Sequence, residues 1–137
     1  MNQALNFEGI LYENNLELNC DIKENILFKG NKEGFNQLIG ILIDNAIKHS
    51  FKNTEIKIRL KEDKQKIHLS VENTGENIPK EDLEKIFERF YRVDKSRARE
   101  KGGYGLGLSI AKTIVSKYNG KIYAESENNR TIFHVDL

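Results

Sequence analysis

The chain has a single cysteine, Cys20, among its 137 residues. This excludes an internal disulfide and any cysteine-based metal cluster. A lone thiol fits a reducing cytosolic setting, and Cys20 reads as a small core residue. Net charge is also almost absent, +1 from 22 Lys and Arg against 21 Asp and Glu. The chain therefore shows no general affinity for nucleic acid or anionic membrane, and any anion it binds must be held by local geometry. The longest apolar run, Leu38 to Ile43, is far too short to cross a bilayer, and the N-terminus lacks the basic and apolar regions of a secretory signal. A soluble, cytoplasmic module is expected. There is no internal repeat and no low-complexity tract. The length suits one domain, 1–137, able to enclose one hydrophobic core without staples.

Periodicity supplies the elements. Residues 5–14 give a weak helical pattern ending near Asn14-Asn15, and ELNCDI alternates as a strand, with a second extended piece at Ile26 to Phe28 before Gly30. Asn31 is placed to cap a long helix whose stripe is Phe35, Leu38, Ile39, Leu42, Ile43 and Ala46. TEIKIRL and KIHLSVEN, separated by the polar EDKQ, predict an antiparallel hairpin with Ile56, Ile58, Leu60, Ile67, Leu69 and Val71 toward the core. Pro79 can open a helix through Asp82, Leu83, Ile86 and Phe87. LGLSIAKTIVSKY predicts a second amphipathic helix closed by Asn119-Gly120, and KIYAES and TIFHVDL, joined by ENNR, a closing hairpin. This order predicts a two-layer α/β sandwich, a mixed and largely antiparallel sheet covered on one face by helices.

Four segments could carry chemistry. On the long helix Ile41, Asn45, Lys48 and His49 share one strip beside the core stripe. An amide there needs a partner or a ligand, since burying it unpaired costs roughly 1–3 kcal/mol; a partly exposed helix edge explains the strip equally well. VENTGENIP delivers Asn73, Thr74 and Gly75 into a turn where a flat ring could approach the backbone, although Asn and Gly also close many turns that bind nothing. KGGYGLGLSI has glycines at 102, 103, 105 and 107 leading into a helix, an arrangement that can aim backbone N–H groups at phosphate. It is neither a Walker A sequence nor a dinucleotide fingerprint. IFERFYRVDKSRAREK interleaves basic and aromatic residues, but Glu88, Asp94 and Glu100 weaken a nucleic-acid reading, and a solvated loop covering a phosphate ligand explains the same composition.

Taken in order, ILIDNAIKHS, VENTGENIP, IFERFYRVDKSR and GGYGLGLSIAKTIV resemble the N, G1, F and G2 boxes of sensor histidine kinases. The resemblance runs from about Phe35 to the C-terminus. It implies the Bergerat-type ATP-binding fold shared with gyrase, the Hsp90 chaperones and the MutL repair proteins, with ATP and Mg²⁺ as cofactors. It implies that Asn45 gives an oxygen to Mg²⁺, a cation that keeps several waters, and that Lys48, His49 and Arg92 touch phosphate or ribose, with Asn45, Lys48 and Arg92 as the catalytic set. Asn73 stands where the family usually has an aspartate that accepts from the adenine amino group, and a neutral acceptor should bind more weakly. The resemblance also implies that Gly75, Ile78, Phe87, Leu106 and Leu108 lie around the nucleotide. Gly103, Gly105 and Gly107 match the phosphate loop, Tyr104 sits where a smaller residue is common, and Thr131 resembles the hydroxyl that supports the adenine contact. Asn77 replaces the second G1 glycine; its tolerance of positive φ should preserve the turn.

The ATPase relatives carry a glutamate one helical turn before the Mg²⁺ asparagine, where this chain has Ile41. With no base to activate water, transfer should await a better-placed nucleophile, which favours kinase over ATPase. His49, His68 and His134 lack the surroundings of a phospho-acceptor histidine. The acceptor, on a dimerising helical domain of the same parent kinase, is thus expected outside this sequence, as is a membrane-bound sensor. A response regulator would receive the phosphoryl group through that domain. The fragment alone is expected to be a monomer that does not bind nucleic acid. A different class of function also fits: a nucleotide-binding regulatory module, such as an anti-sigma factor or degenerate kinase, that binds ATP without transfer.

Overall fold

The computed structural model describes residues 8–22, 32–64, 66–91 and 107–137. Helix α1 (Glu8–Glu13) leads into strand β1 (Glu17–Ile22), followed by helix α2 (Lys32–His49) and the strands β2 (Glu55–Asp63) and β3 (Lys66–Thr74). Two short 3-10 turns, Lys80–Asp82 and Lys85–Phe87, precede helix α3 (Gly107–Lys117) and the hairpin β4 (Lys121–Glu127) and β5 (Arg130–Asp136). The sheet order is β1-β2-β3-β5-β4. β1 and β2, with α2 between them in sequence, pair parallel, and every other pairing is antiparallel. The expected mixed, largely antiparallel sheet is thus found.

Alternation decides which sheet face is buried. Ile56, Ile58 and Leu60 of β2, Ile67, Leu69 and Val71 of β3, and Phe133 and Val135 of β5 all point under the helices and are buried. Leu38, Ile39, Leu42, Ile43, Ala46 and Ile47 of α2 and Ala111, Ile114 and Val115 of α3 meet them. Each large aliphatic side chain removed from water contributes roughly 1.5–3 kcal/mol, and this shared layer is the main source of stability. The opposite face carries charge, including Lys57, Glu72 and Arg130 in ion-pair contact.

The turn chemistry follows the side chains. α3 ends with Asn119 at φ 57°, where the Gly120 N–H donates to the Val115 carbonyl at 3.0 Å and the Asn119 N–H to the Ser116 carbonyl at 3.0 Å. Asn takes the left-handed position usually given to glycine. Asn128 and Asn129, at φ 54° and 62°, form the two-residue turn between β4 and β5, matching the primed turns that suit strand twist.

Three expectations differ. The segment after Pro79 is not an α-helix but two separate 3-10 turns; Leu83 and Ile86 are three apart, and three-residue periodicity puts them on one side. Cys20 is exposed, not a core residue, because β1 is the edge strand and α2 and α3 cover the middle of the sheet. Asn77 is not among the residues with positive φ, so its tolerance of that region is not used. The expected Ile26 to Phe28 extension and the Asn31 cap lie outside the described residues.

Candidate functional site

The C-terminal end of α2, the end of β3 and the β4–β5 hairpin converge, with the first turn of α3 beside α2. The convergence begins with Gly75. It forms an isolated antiparallel bridge with Ser50, and the Phe51 N–H donates to the Thr74 carbonyl at 2.9 Å. A Cβ on Gly75 would stand 2.0 Å from the His49 carbonyl oxygen. Backbone therefore packs directly on backbone, and only glycine permits it.

Across the sheet, Asn73 and Thr131 are register partners on β3 and β5 and are the two buried polar residues among those described, each 3% exposed. Thr131 Oγ1 lies 2.9 Å from Ser126 Oγ, which accepts from the Ile78 N–H at 2.8 Å. Ile78 itself packs against the core. Beyond it the Asn77 side-chain oxygen accepts from the Asn129 N–H at 2.8 Å, and the Gly75 N–H donates to the Asn129 carbonyl at 2.9 Å. The turn after β3 is thus tied twice to the tip of the last hairpin.

On α2, Asn45 is half-buried and Lys48 pairs with Asp44 at 3.0 Å. Both members of that pair are well solvated, so it contributes about 0.3–0.5 kcal/mol and leaves the lysine free to re-aim. His49 is exposed, and its carbonyl is the group against Gly75. Gly107, the first residue of α3, is exposed; a Cβ there would lie 3.5 Å from Ile41 Cγ2. The start of α3, where the first helix N–H groups have no partner within the helix, is therefore set beside α2. Leu108 is partly buried against the core. Phe87 is a core residue, meeting Phe133 edge-to-face at 6.1 Å, so what it offers a ligand is limited to its margin. Arg92, Gly103, Tyr104, Gly105 and Leu106 lie outside the described residues.

Among the described residues no cluster of three or more His, Cys, Asp or Glu could hold a metal ion. A Mg²⁺ site of one side-chain oxygen, phosphate and water needs no such cluster. The half-buried Asn45 amide, which makes no hydrogen bond to a described residue, fits that single-donor role.

The segment leading out of the site is anchored by Tyr91, whose hydroxyl donates to the Asp82 carboxylate. That bond, with nearby Glu88 and Glu81, pushes the phenol up to about 12.

Sequence reasoning did not single out Ser126 or the Asn77–Asn129 tie. Ser126 had a signal: strand alternation puts it on the inner face opposite Thr131, where a hydroxyl needs a partner. The Asn77 tie had none, because it joins residues 52 apart in sequence.

A family model described as histidine kinase-, DNA gyrase B-, and HSP90-like ATPase matches residues 30–137. The signal transduction histidine-protein kinase ArlS of Staphylococcus epidermidis is 50% identical over 113 residues, covering 82% of this chain and 25% of that protein. ArlS of Staphylococcus aureus is 48% identical over 108 residues, covering 78% of this chain and 24% of its own length. The chain thus spans about a quarter of the length of these curated relatives. Among solved structures, the nucleotide-free catalytic domain of histidine kinase ThkA superposes with TM-score 0.87 at 29% identity, covering 99% of this chain and 87% of that one. ThkA in complex with the response regulator TrrA superposes with TM-score 0.81 at 28% identity, covering 99% and 38%.

Proposed function

Because the chain belongs to the histidine kinase-, DNA gyrase B- and HSP90-like ATPase family, we propose that it binds Mg-ATP and donates the γ-phosphoryl group to a histidine of a separate dimerisation domain, as the catalytic module of a two-component sensor kinase. The observation that carries the reading is the buried Asn73–Thr131 pair beside the backbone contact of Gly75 with His49. A flat base lying beside this junction can meet the two buried polar groups of Asn73 and Thr131 at its edge.

Each residue then has a task. Asn73 and Thr131 read the base edge; Ser126 holds Thr131 and Ile78. Asn45 offers its amide oxygen to the phosphate-bound Mg²⁺, which when bound neutralises phosphate charge. Lys48, released from Asp44, His49 and Arg92 reach the ribose or phosphates. Gly103, Gly105 and Gly107 are assigned to the phosphates, with Gly107 as the first residue of α3, a helix start suited to an anion. Ile41, apolar and packed beside α3, cannot take a proton from water, so the domain holds ATP until an acceptor histidine arrives, and catalysis rests on positioning.

The ThkA complex supports a response regulator as the onward partner of the parent kinase. Among the described residues no helix is long and apolar enough to cross a membrane; a membrane anchor would belong to other parts of the parent. The second class of function, binding without transfer, predicts a different result in one experiment. Incubation with γ-labelled Mg-ATP and a separately supplied histidine-bearing dimerisation domain should label that domain's histidine, and Asn45→Asp should abolish the label. Tight ATP binding with no label on any acceptor would favour the regulatory module.

A further inference from the structure

Independently of the nucleotide reading, we propose that His68 and His134 bind a zinc ion on the sheet face turned away from the helices. Their sequence neighbours Ile67, Leu69, Phe133 and Val135 are buried, so strand alternation puts both imidazoles on the outer face. There His68 Nε2 and His134 Nδ1 stand 3.3 Å apart, while the ring centroids are 5.3 Å apart. The two rings thus turn these nitrogens toward one another. Two Zn–N bonds of about 2.1 Å spanning that gap subtend about 104°, near the tetrahedral angle that zinc takes. Imidazole is a ligand well suited to zinc, and a tetrahedral angle favours it over metals that prefer right-angled sites.

The outer nitrogens already face carboxylates. His68 Nδ1 lies 2.5 Å from Asp136 Oδ1, across the register pair of β3 and β5, and His134 Nε2 lies 2.7 Å from Glu125 Oε1. The Tyr123 hydroxyl also donates to Asp136, and the Tyr123 ring stacks on His134 at 4.8 Å. Metal-bound histidines characteristically donate their other N–H to such a carboxylate, which fixes the ring and its tautomer.

Counting protons shows what is missing. A carboxylate only accepts, so His68 carries its proton on Nδ1 and leaves a lone pair on Nε2. If a neutral His134 donates to that lone pair, its own Nε2 becomes a bare acceptor against Glu125. That atom is buried and has no aligned hydrogen bond among the described residues. If His134 instead turns its proton to Glu125, two lone pairs face each other across 3.3 Å. Neither neutral form satisfies every contact. A cation between the two inner nitrogens does, with each outer N–H toward its carboxylate. A second proton on His134 is the competing solution, and it excludes the metal. Among the described residues no third His, Cys, Asp or Glu joins the pair, so waters complete the shell. Lys61 and Lys121, the register partners of His68 and Asp136, offset the two carboxylates, and affinity rests on the nitrogen ligands.

The test is calorimetric titration of Zn²⁺ into the tag-free protein at about pH 8, where neutral rings are favoured, with His68→Gln, His134→Gln and Cys20→Ser variants alongside. The expected result is one Zn²⁺ per chain, weakened at least about tenfold by either histidine change. Cys20→Ser and excess Mg²⁺, which prefers oxygen ligands, should leave it unchanged. No zinc binding by the folded parent overturns the proposal. Binding that both histidine variants keep, or that Cys20→Ser removes, overturns it by placing the metal elsewhere. Nitrogen-15 spectra of the unmodified protein decide the point if the variants do not fold: zinc should shift His68 Nε2 and His134 Nδ1, and a shift confined to His49 overturns the site.

Discussion

Gly75 and His49 meet backbone to backbone, with the His49 carbonyl oxygen in the space that a side chain on Gly75 would fill, 2.0 Å from the Cβ position. This contact joins the end of the long helix to the end of the central strand, and it cannot yield by rotating a side chain. Gly75→Ala should therefore cost about 2–3 kcal/mol and lower the thermal midpoint by roughly 10 °C. Calorimetric unfolding checks this; an unchanged midpoint would show that the two backbones can part freely.

Ser126 ties Thr131 to the Ile78 backbone. Ser126→Ala leaves the Ile78 N–H and the Thr131 hydroxyl each short of a partner and should cost about 1–2 kcal/mol. Urea unfolding measures the loss, and nucleotide titration of the same variant should show weaker binding because Thr131 is no longer held.

Asn77 gives the opposite of a family-based expectation. Its φ is not positive, and its side-chain oxygen holds the Asn129 N–H. Asn77→Gly, a change toward the family's usual residue, should lower stability by about 1 kcal/mol instead of relieving strain. A rise in the urea midpoint would contradict this.

Most of the fold was legible because alternation and helical stripes report burial directly. Ile56, Ile58, Leu60, Ile67, Leu69 and Val71 occupy the inner face as their spacing requires. What was not legible depended on position across the sheet. Cys20 has an inward-compatible pattern but sits on the edge strand, and strand order is not written in local spacing. The segment after Pro79 satisfies both helical types over so few residues that periodicity could not choose. In the site, Asn73, Gly75 and Thr131 were legible as motif positions, whereas Ser126 and the Asn77 tie emerge only once the hairpin folds back.

Tyr91 offers a pH test. Its phenol is held neutral chiefly by the Asp82 carboxylate, so its value in the folded protein, about 12, exceeds the ordinary 10. The contact's contribution is present in full below pH 10 and is lost as pH rises through 12. Ultraviolet titration should show a tyrosinate appearing near pH 12 that is absent from Tyr91→Phe. Tyr123 is raised as well, by burial and the nearby Asp136, so the readout is the amplitude: if Tyr91→Phe leaves the high-pH amplitude unchanged, Tyr91 is not the group held by Asp82.

The central claim is that nucleotide binds where α2, β3 and the last hairpin meet. Calorimetric titration of Mg-ADP into the protein and into Asn45→Asp tests it most directly. The account predicts saturable one-site binding by the parent and a loss of at least about tenfold in the variant, with thermal midpoints alike. A folded parent that binds no Mg-ADP, or a variant that binds it equally well, would contradict it.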